Sequence, residues 1–347
     1  MAYTGINKST DYFNTKLYTG NAGTQTIDNG FRSDFLWIKA RSESTDHRLF
    51  DTIRGTEALV SNTASGQINR AGYGFTSLAS NGFTLNGNAS GGEINANTET
   101  YAAWNWKGNG TTNANNTAGN INSTVNLNTT AGFSIVKWDS TGTAGINIGH
   151  GLGQKPAMII AKCLNQSDTS FPVYHQSLGA TKYVSLQATT AATTSATRWN
   201  NSEPTTTTFQ TGSSGDIGGS NRTMIAYCFA EKQGYSKFGS YTGNGNANGT
   251  FVYTGFKPAF VLIKVTSTTN DWEIHDNKRG PSNVINAILQ PNLSAVESTS
   301  GREIDFLSNG FKLRNGSSQN NNSGSTFIYM AFGQSIVGSN NVPATAR

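Results

Sequence analysis

The sequence predicts an all-β fold of three tandem β-sandwich domains, jelly-roll or concanavalin-like in type. Gly stands at 39 of 347 positions, charged residues make up only 13%, and Asn, Thr and Ser supply the polarity. Such a composition suits short strands joined by many turns. No window of a dozen residues is rich enough in Leu, Glu, Lys and Ala for a long helix. A single set of motifs also recurs along the chain.

Tyr18-Thr19-Gly20, Gly30-Phe31 and Phe35-Leu36-Trp37-Ile38-Lys39 return as Tyr241-Thr242-Gly243, Gly255-Phe256 and Phe260-Val261-Leu262-Ile263-Lys264. Asp51, Arg54-Gly55 and Asn81-Gly82-Phe83 return in register as Asp276, Arg279-Gly280 and Asn309-Gly310-Phe311. Tyr101-Ala102-Ala103-Trp104 then matches Tyr329-Met330-Ala331-Phe332. A register kept this long marks a repeated folding unit. A divergent copy lies between, where 156–162 aligns with 258–264 and 223–229 with 326–332. In that copy His175 replaces the Asp, and Leu178-Gly179 replaces Arg-Gly. The copies set domains at 1–107, 126–232 and 238–337, an Asn/Thr/Gly-rich linker at 108–125, and a tail at 338–347.

Within a copy, the strand ending in Lys39, Lys162 or Lys264 is nearly all apolar. It reads as a central strand covered on both faces, with a charge where it emerges. The last strand, 101–106, alternates small and large side chains to fill a core. Asn-Gly, with Gly82 or Gly310, supplies a turn of positive φ into the next strand. Asp51 to Gly55 and Asp276 to Gly280 read as Asp-x-x-Arg-Gly turns, in which the Asp accepts backbone N–H bonds.

The net charge of +5 is dispersed, with no basic stripe, so no nucleic-acid face is expected. Met1 to Thr10 lacks the basic and apolar regions of a signal peptide, and the longest apolar run, Ala259 to Ile263, is far too short for a membrane span. Cys163 and Cys228 sit in apolar strands and read as free buried thiols of a chain made in a reducing cytoplasm.

Signals for catalysis are weak. Glu303 and Asp305 would share one strand face, as a retaining glycosidase requires, but the further Glu of a jelly-roll glucanase signature falls on Ser308. His47, His150, His175 and His275 show no metal-ligand spacing, and no nucleophile elbow or phosphate loop appears. No catalytic residue, metal or cofactor is expected. Trp37 and Trp104 belong to core strands, whereas Trp199, in a polar stretch, is expected to be exposed, where it would stack on a sugar ring or fill a subunit interface. Arg54 and Arg279 are the other binding candidates, able to hold a partner's carboxylate or sugar, although the turn role is preferred.

The segments INKSTDYFNTKLYTGN (6–21), DFLWIKAR (34–41), LFDTIRG (49–55), YAAWNWK (101–107), GYSKFGSYTGN (234–244), DFLSNGFK (305–312) and IYMAFG (328–333) resemble virion-associated proteins of marine tailed phages of cyanophage and pelagiphage type. The resemblance covers nearly the whole chain and implies a virion surface protein made in the host cytoplasm without a signal. It brings no set of catalytic residues. The expected partners are other capsid or tail proteins, further copies in a homo-oligomer with a trimer as the guess, and a host surface glycan. Two roles compete, capsid decoration or head fibre against tail fibre or adhesin. The absence of a heptad shaft tilts the reading toward the first, and a glycan-degrading enzyme would rest on Glu303 and Asp305 alone.

Overall fold

The computed structural model describes residues 4–87 and 92–335; the expected tail at 338–347 lies outside them. The chain is nearly all β. The first unit holds β1 (Phe13–Thr19), β2 (Gln25–Asp28), β3 (Phe35–Ala40), β4 (Arg48–Asp51), β5 (Glu57–Ala58), β6 (Ile68–Asn69), β7 (Phe75–Ala79), β8 (Gly82–Leu85), α1 (Gly92–Asn95) and β9 (Thr100–Trp106). The second holds β10 (Thr112–Asn116), β11 (Ser123–Asn128), β12 (Phe133–Ser140), β13 (Ile146–Gly149), β14 (Met158–Cys163), β15 (Pro172–His175), β16 (Lys182–Ser185), β17 (Thr193–Thr194), α2 (Ala196–Trp199), β18 (Thr208–Thr211) and β19 (Arg222–Phe229). The third holds β20 (Ser236–Thr242), β21 (Phe251–Tyr253), β22 (Pro258–Val265), β23 (Trp272–Asp276), β24 (Ile304–Leu307), β25 (Gly310–Leu313) and β26 (Thr326–Gly333).

The frame repeats. An inner sheet runs β1-β9-β3-β4 in the first unit and β20-β26-β22-β23 in the third, and the run β12-β19-β14-β15 lies inside the second unit's eight-stranded sheet. Outer sheets are β2-β8-β7 and β21-β25-β24; in the second unit only β13-β18 remains, and α2 packs beside β18.

The inner strands are apolar on both faces because each face meets a core. In β3, Leu36 and Ile38 point into the unit's own sandwich, while Phe35 and Trp37 point the other way. The second faces of all three inner sheets meet in one shared cluster, where Phe35 stacks on Tyr227 with centroids 4.0 Å apart and Phe13 on Phe332 at 4.9 Å. The units are therefore arranged around a common axis and are not beads on a string.

Several expectations need correction. The segment expected as a linker contains β10 and the start of β11, which extend the second inner sheet as an edge. Asn and Thr do not forbid a strand where a neighbour supplies the ladder bonds. The match of Tyr101 with Tyr329 is two residues out of register. Tyr101 pairs with Ala40 and stacks on Tyr18 at 4.9 Å, and its true counterpart is Phe327, which pairs with Val265 and stacks on Tyr241 at 4.9 Å. A two-residue slip keeps every side chain on its face, so alternation alone could not detect it. At Gly82 φ is +152°, whereas Gly310 is absent from the positive-φ positions. Both sites need glycine mainly for close approach, since an added Cβ would lie 1.9 Å from the Ile27 carbonyl or 2.1 Å from that of Val252.

Candidate functional site

The residues with the most chemistry lie at the seams between units. Asp51 caps its own turn, accepting the Ile53 and Arg54 N–H groups at Oδ1 (both 3.0 Å) and Arg54 Nε at Oδ2 (2.6 Å). Gly55, at φ +66°, closes that turn. Asp276 repeats the design with Lys278 N (3.0 Å), Arg279 N (2.9 Å) and Arg279 Nε (2.6 Å), and Gly280 packs against Ile285 without a positive φ. The second oxygen of each Asp then reaches the next unit. Tyr227 Oη donates to Asp51 at 2.8 Å, and Trp104 Nε1 donates to Asp276 at 3.0 Å.

His175 is the third member. Its Nδ1 accepts the Ser177 N–H at 3.2 Å, as a carboxylate oxygen does in the other turns, and its Nε2 donates to the Tyr329 carbonyl at 3.1 Å. The divergence has a cause across the seam. Pairing places Tyr227, Trp104 and Met330 at equivalent positions on β19, β9 and β26. Met330 offers no N–H or O–H, so a carboxylate at 175 would find no such donor there, whereas His175 donates to the neighbouring Tyr329 carbonyl.

One further ring of bonds closes the same circle, and buried lysines cross two of its seams. The Gln67, Ala192 and Glu297 N–H groups donate to the Leu164, Thr266 and Arg41 carbonyls at 2.8, 2.9 and 2.9 Å, each time from one unit's loop to the next unit's strand end. The lysines expected where strands emerge are wholly buried. Lys162 Nζ bonds Ala64 O of the first unit (2.8 Å), Lys264 Nζ bonds Thr189 O of the second (3.0 Å), and burial lowers both ammonium groups to about 8. Lys39 stays within its unit, on the Ala40 and Glu43 carbonyls.

The structure withdraws Arg54, Arg279 and Trp199 as exposed binding residues. Arg54 and Arg279 are buried on their aspartates. Trp199 is 1% exposed, at the end of α2, between Tyr174 and Phe209. Its polar neighbours belong to the short helix and the left-handed Asn200 and Asn201 after it, which turn the indole inward. Trp199→Ala is expected to destabilise the protein by about 3 kcal/mol, the lower end for a buried Trp because its N–H has no partner to lose; urea denaturation checks this. Among the described residues the aromatics that do stand in solvent are Tyr253 (62%) and Phe251 (43%) on β21 and Tyr73 (47%) in the loop before β7. The alternation Phe251-Val252-Tyr253, with Val252 inward, was the available signal.

Glu303 precedes β24 and caps the Gly301 N–H, and Asp305, on the outer face of that sheet, pairs with Arg314 at 3.4 Å. Among the described residues no group of three His, Cys, Asp or Glu side chains could hold a metal, and no helix is long and apolar enough to cross a membrane. Cys163 and Cys228 are free and buried. His275 shares its strand face with Glu273, 3.3 Å away, and both are buried.

Burial lowers His47 well below its ordinary value of 6.5 and lowers His150 and His175 to about 4. A histidine depressed in the fold binds its proton more readily when unfolded, so stability is full above pH 6.5 and falls toward pH 4. The denaturation midpoint is expected to decline across that window, and His175→Gln to flatten part of the decline.

One of the seams holds a cleft. Between β1 and the third unit lies a cavity of about 300 Å³, lined by Phe13, Asn14, Thr15, Asn277, Lys278 and Gln334 among others. A second, of about 380 Å³, shares Asn277 and Gln334 and adds Lys257, Ser282, Asn283 and Phe306. No Asp or Glu lines either one.

Fold and seams together define a closed, pseudo-threefold all-β body. The sequence matches, over residues 8–335, the family described as a domain of unknown function (DUF7483), and the chain belongs to that family. The match spans all three units. No curated protein and no solved structure matches the chain.

Proposed function

We propose that this chain is a non-enzymatic structural and binding protein of the outer surface of a tailed-phage virion, of the capsid-decoration or head-fibre type. The observation that carries this reading is the cyclic interlock. Asp51, His175, Asp276, Arg54 and Arg279 are all taken up in bonds within and between units, which suits a body selected for rigidity. The sequence resemblance supplies the virion setting. One chain already has a threefold pattern, so it fits a threefold acceptor on a shell without needing further copies, although a homo-oligomer is compatible with it.

Electron cryomicroscopy of intact particles tests the location. Density for this pseudo-threefold body over the head supports decoration, density at the tail supports the adhesin reading, and absence from particles refutes both. The adhesin alternative draws on the seam cleft, a concave site for a host glycan. A glycan-degrading role has little support, since Glu303 and Asp305 line neither cavity. The protein is expected to release no reducing sugar from β-glucan, and hydrolysis that disappears in Glu303→Gln would reverse the non-enzyme reading.

A further inference from the structure

The three seams do not close equally, and the difference points to a ligand. In the first and third units the first strand of the inner sheet, β1 or β20, is an edge strand whose outward N–H and C=O groups face the neighbouring unit, whereas β12 of the second unit is covered by β11. Between the second and third units the β20 edge is sealed. The Phe238 N–H donates to Glu231 Oε1 at 3.0 Å, Gln176 Nε2 donates to the Phe238 carbonyl at 2.7 Å and to Glu231 Oε1 at 2.9 Å, and Lys237 pairs with Glu231 at 3.1 Å. The Phe238 ring fills the shared core beneath.

At the seam between the third and first units the same places are held by other residues. Pairing sets Thr15, opposite Trp104, where Phe238 stands opposite Met330. By the same correspondence Asn277 takes the place of Gln176, and Gln334 that of Glu231. The ring becomes a small hydroxyl, and the carboxylate becomes an amide. The cavity of about 300 Å³ lies here. Thr15 is 4% exposed, lines the cavity, and its Oγ1 has no hydrogen-bond partner. A buried, unpaired hydroxyl at a sheet edge costs free energy unless something completes it.

We infer that this cleft binds a hydroxylated carboxylate, a uronic-acid unit of an acidic polysaccharide. The sealed seam shows what the edge accepts, a carboxylate held by a strand N–H, a carboxamide and a lysine. Here the strand N–H, the Asn277 amide and Lys278 are present, and the carboxylate comes from the ligand. Lys257 in the adjoining cavity adds a second cation, and no acidic side chain opposes an anion. Asn14, Gln334 and the Thr15 hydroxyl both donate and accept, as sugar hydroxyls do. The inference concerns the cleft alone and holds wherever on a particle, or off one, the protein works.

Saturation-transfer NMR on the full chain, with glucuronate, galacturonate, glucose, galactose and acetate as probes, tests it. At least one uronate is expected to bind at least tenfold more tightly than its neutral hexose and than acetate. Gln334→Glu restores the carboxylate of the sealed seam, and Thr15→Phe restores its ring. Each should weaken uronate binding tenfold or more and leave the melting temperature unchanged or raised. Equal binding of hexose and uronate, binding of acetate as tight as uronate, no binding at all, or uronate binding indifferent to Gln334→Glu would each overturn the assignment. Should Thr15→Phe fail to fold, Gln334→Glu still decides.

Discussion

Cut from its neighbours, the third unit (residues 234–335) is expected to aggregate, and the intact chain to unfold in one cooperative transition. Its inner sheet presents Phe238, Phe260, Leu262, Ile328, Met330 and Phe332 to the shared core. Exposing them forfeits on the order of 10 kcal/mol at roughly 1.5–3 kcal/mol each. That is comparable with the whole stability of a domain. The unit's own sandwich, around Val261, Ile263, Phe311 and Tyr329, contributes equally in the fragment and the intact chain and so does not offset that loss. It would also leave a broad apolar face open to association. In calorimetry the intact chain should give a van't Hoff enthalpy equal to the measured one. A soluble fragment with a sharp melt, or three resolved transitions, would contradict the shared-core account.

The repeat was legible because motifs such as Phe35–Lys39 and Phe260–Lys264 hold the same backbone role, and their apolarity on both faces correctly signalled cover on two sides. What covered the second face was not legible. A strand that packs against another unit reads the same as one buried in its own domain, so the ring stayed hidden. Lys39, Lys162 and Lys264 seemed to mark strand exits because an ammonium is rarely buried, yet backbone carbonyls hold them inside, across a seam for Lys162 and Lys264 and within its own unit for Lys39. Trp199 misled because its burial depends on a helix of four residues, too short to leave a periodic signature. His175 looked like a loss of turn chemistry, and its reason, Met330, lies far away in sequence. The cleft was likewise invisible, since Thr15 departs from Phe238 only once the strands are set in register.

Asp276→Ala is expected to cost about 5 kcal/mol at pH 7, since breaking a buried ion pair costs roughly 3–5 kcal/mol and orphaned N–H donors add to it. Arg279 would keep Glu297 at 3.2 Å, but the Lys278 and Arg279 N–H groups and the Trp104 indole would lose their acceptor. A double-mutant cycle isolates the seam. Trp104→Phe alone should cost about 1.5–3 kcal/mol, as expected for a hydrogen bond to a charged group, and much less in the Asp276→Ala background. Additive losses would mean that the bond across the seam contributes nothing beyond the turn. Acid gives a second check. Burial pushes the Asp276 carboxyl up, but the Arg279 charge, the Arg279 backbone and side-chain N–H groups and the Trp104 N–H outweigh it and hold it below its ordinary 3.8. A depressed carboxylate contributes stability that is present above 3.8 and lost as pH falls through its folded value. The Asp276→Ala penalty should therefore shrink below pH 3.8, under the histidine window. A penalty constant down to the acid unfolding point would show that Asp276 acts only as a packing and turn residue.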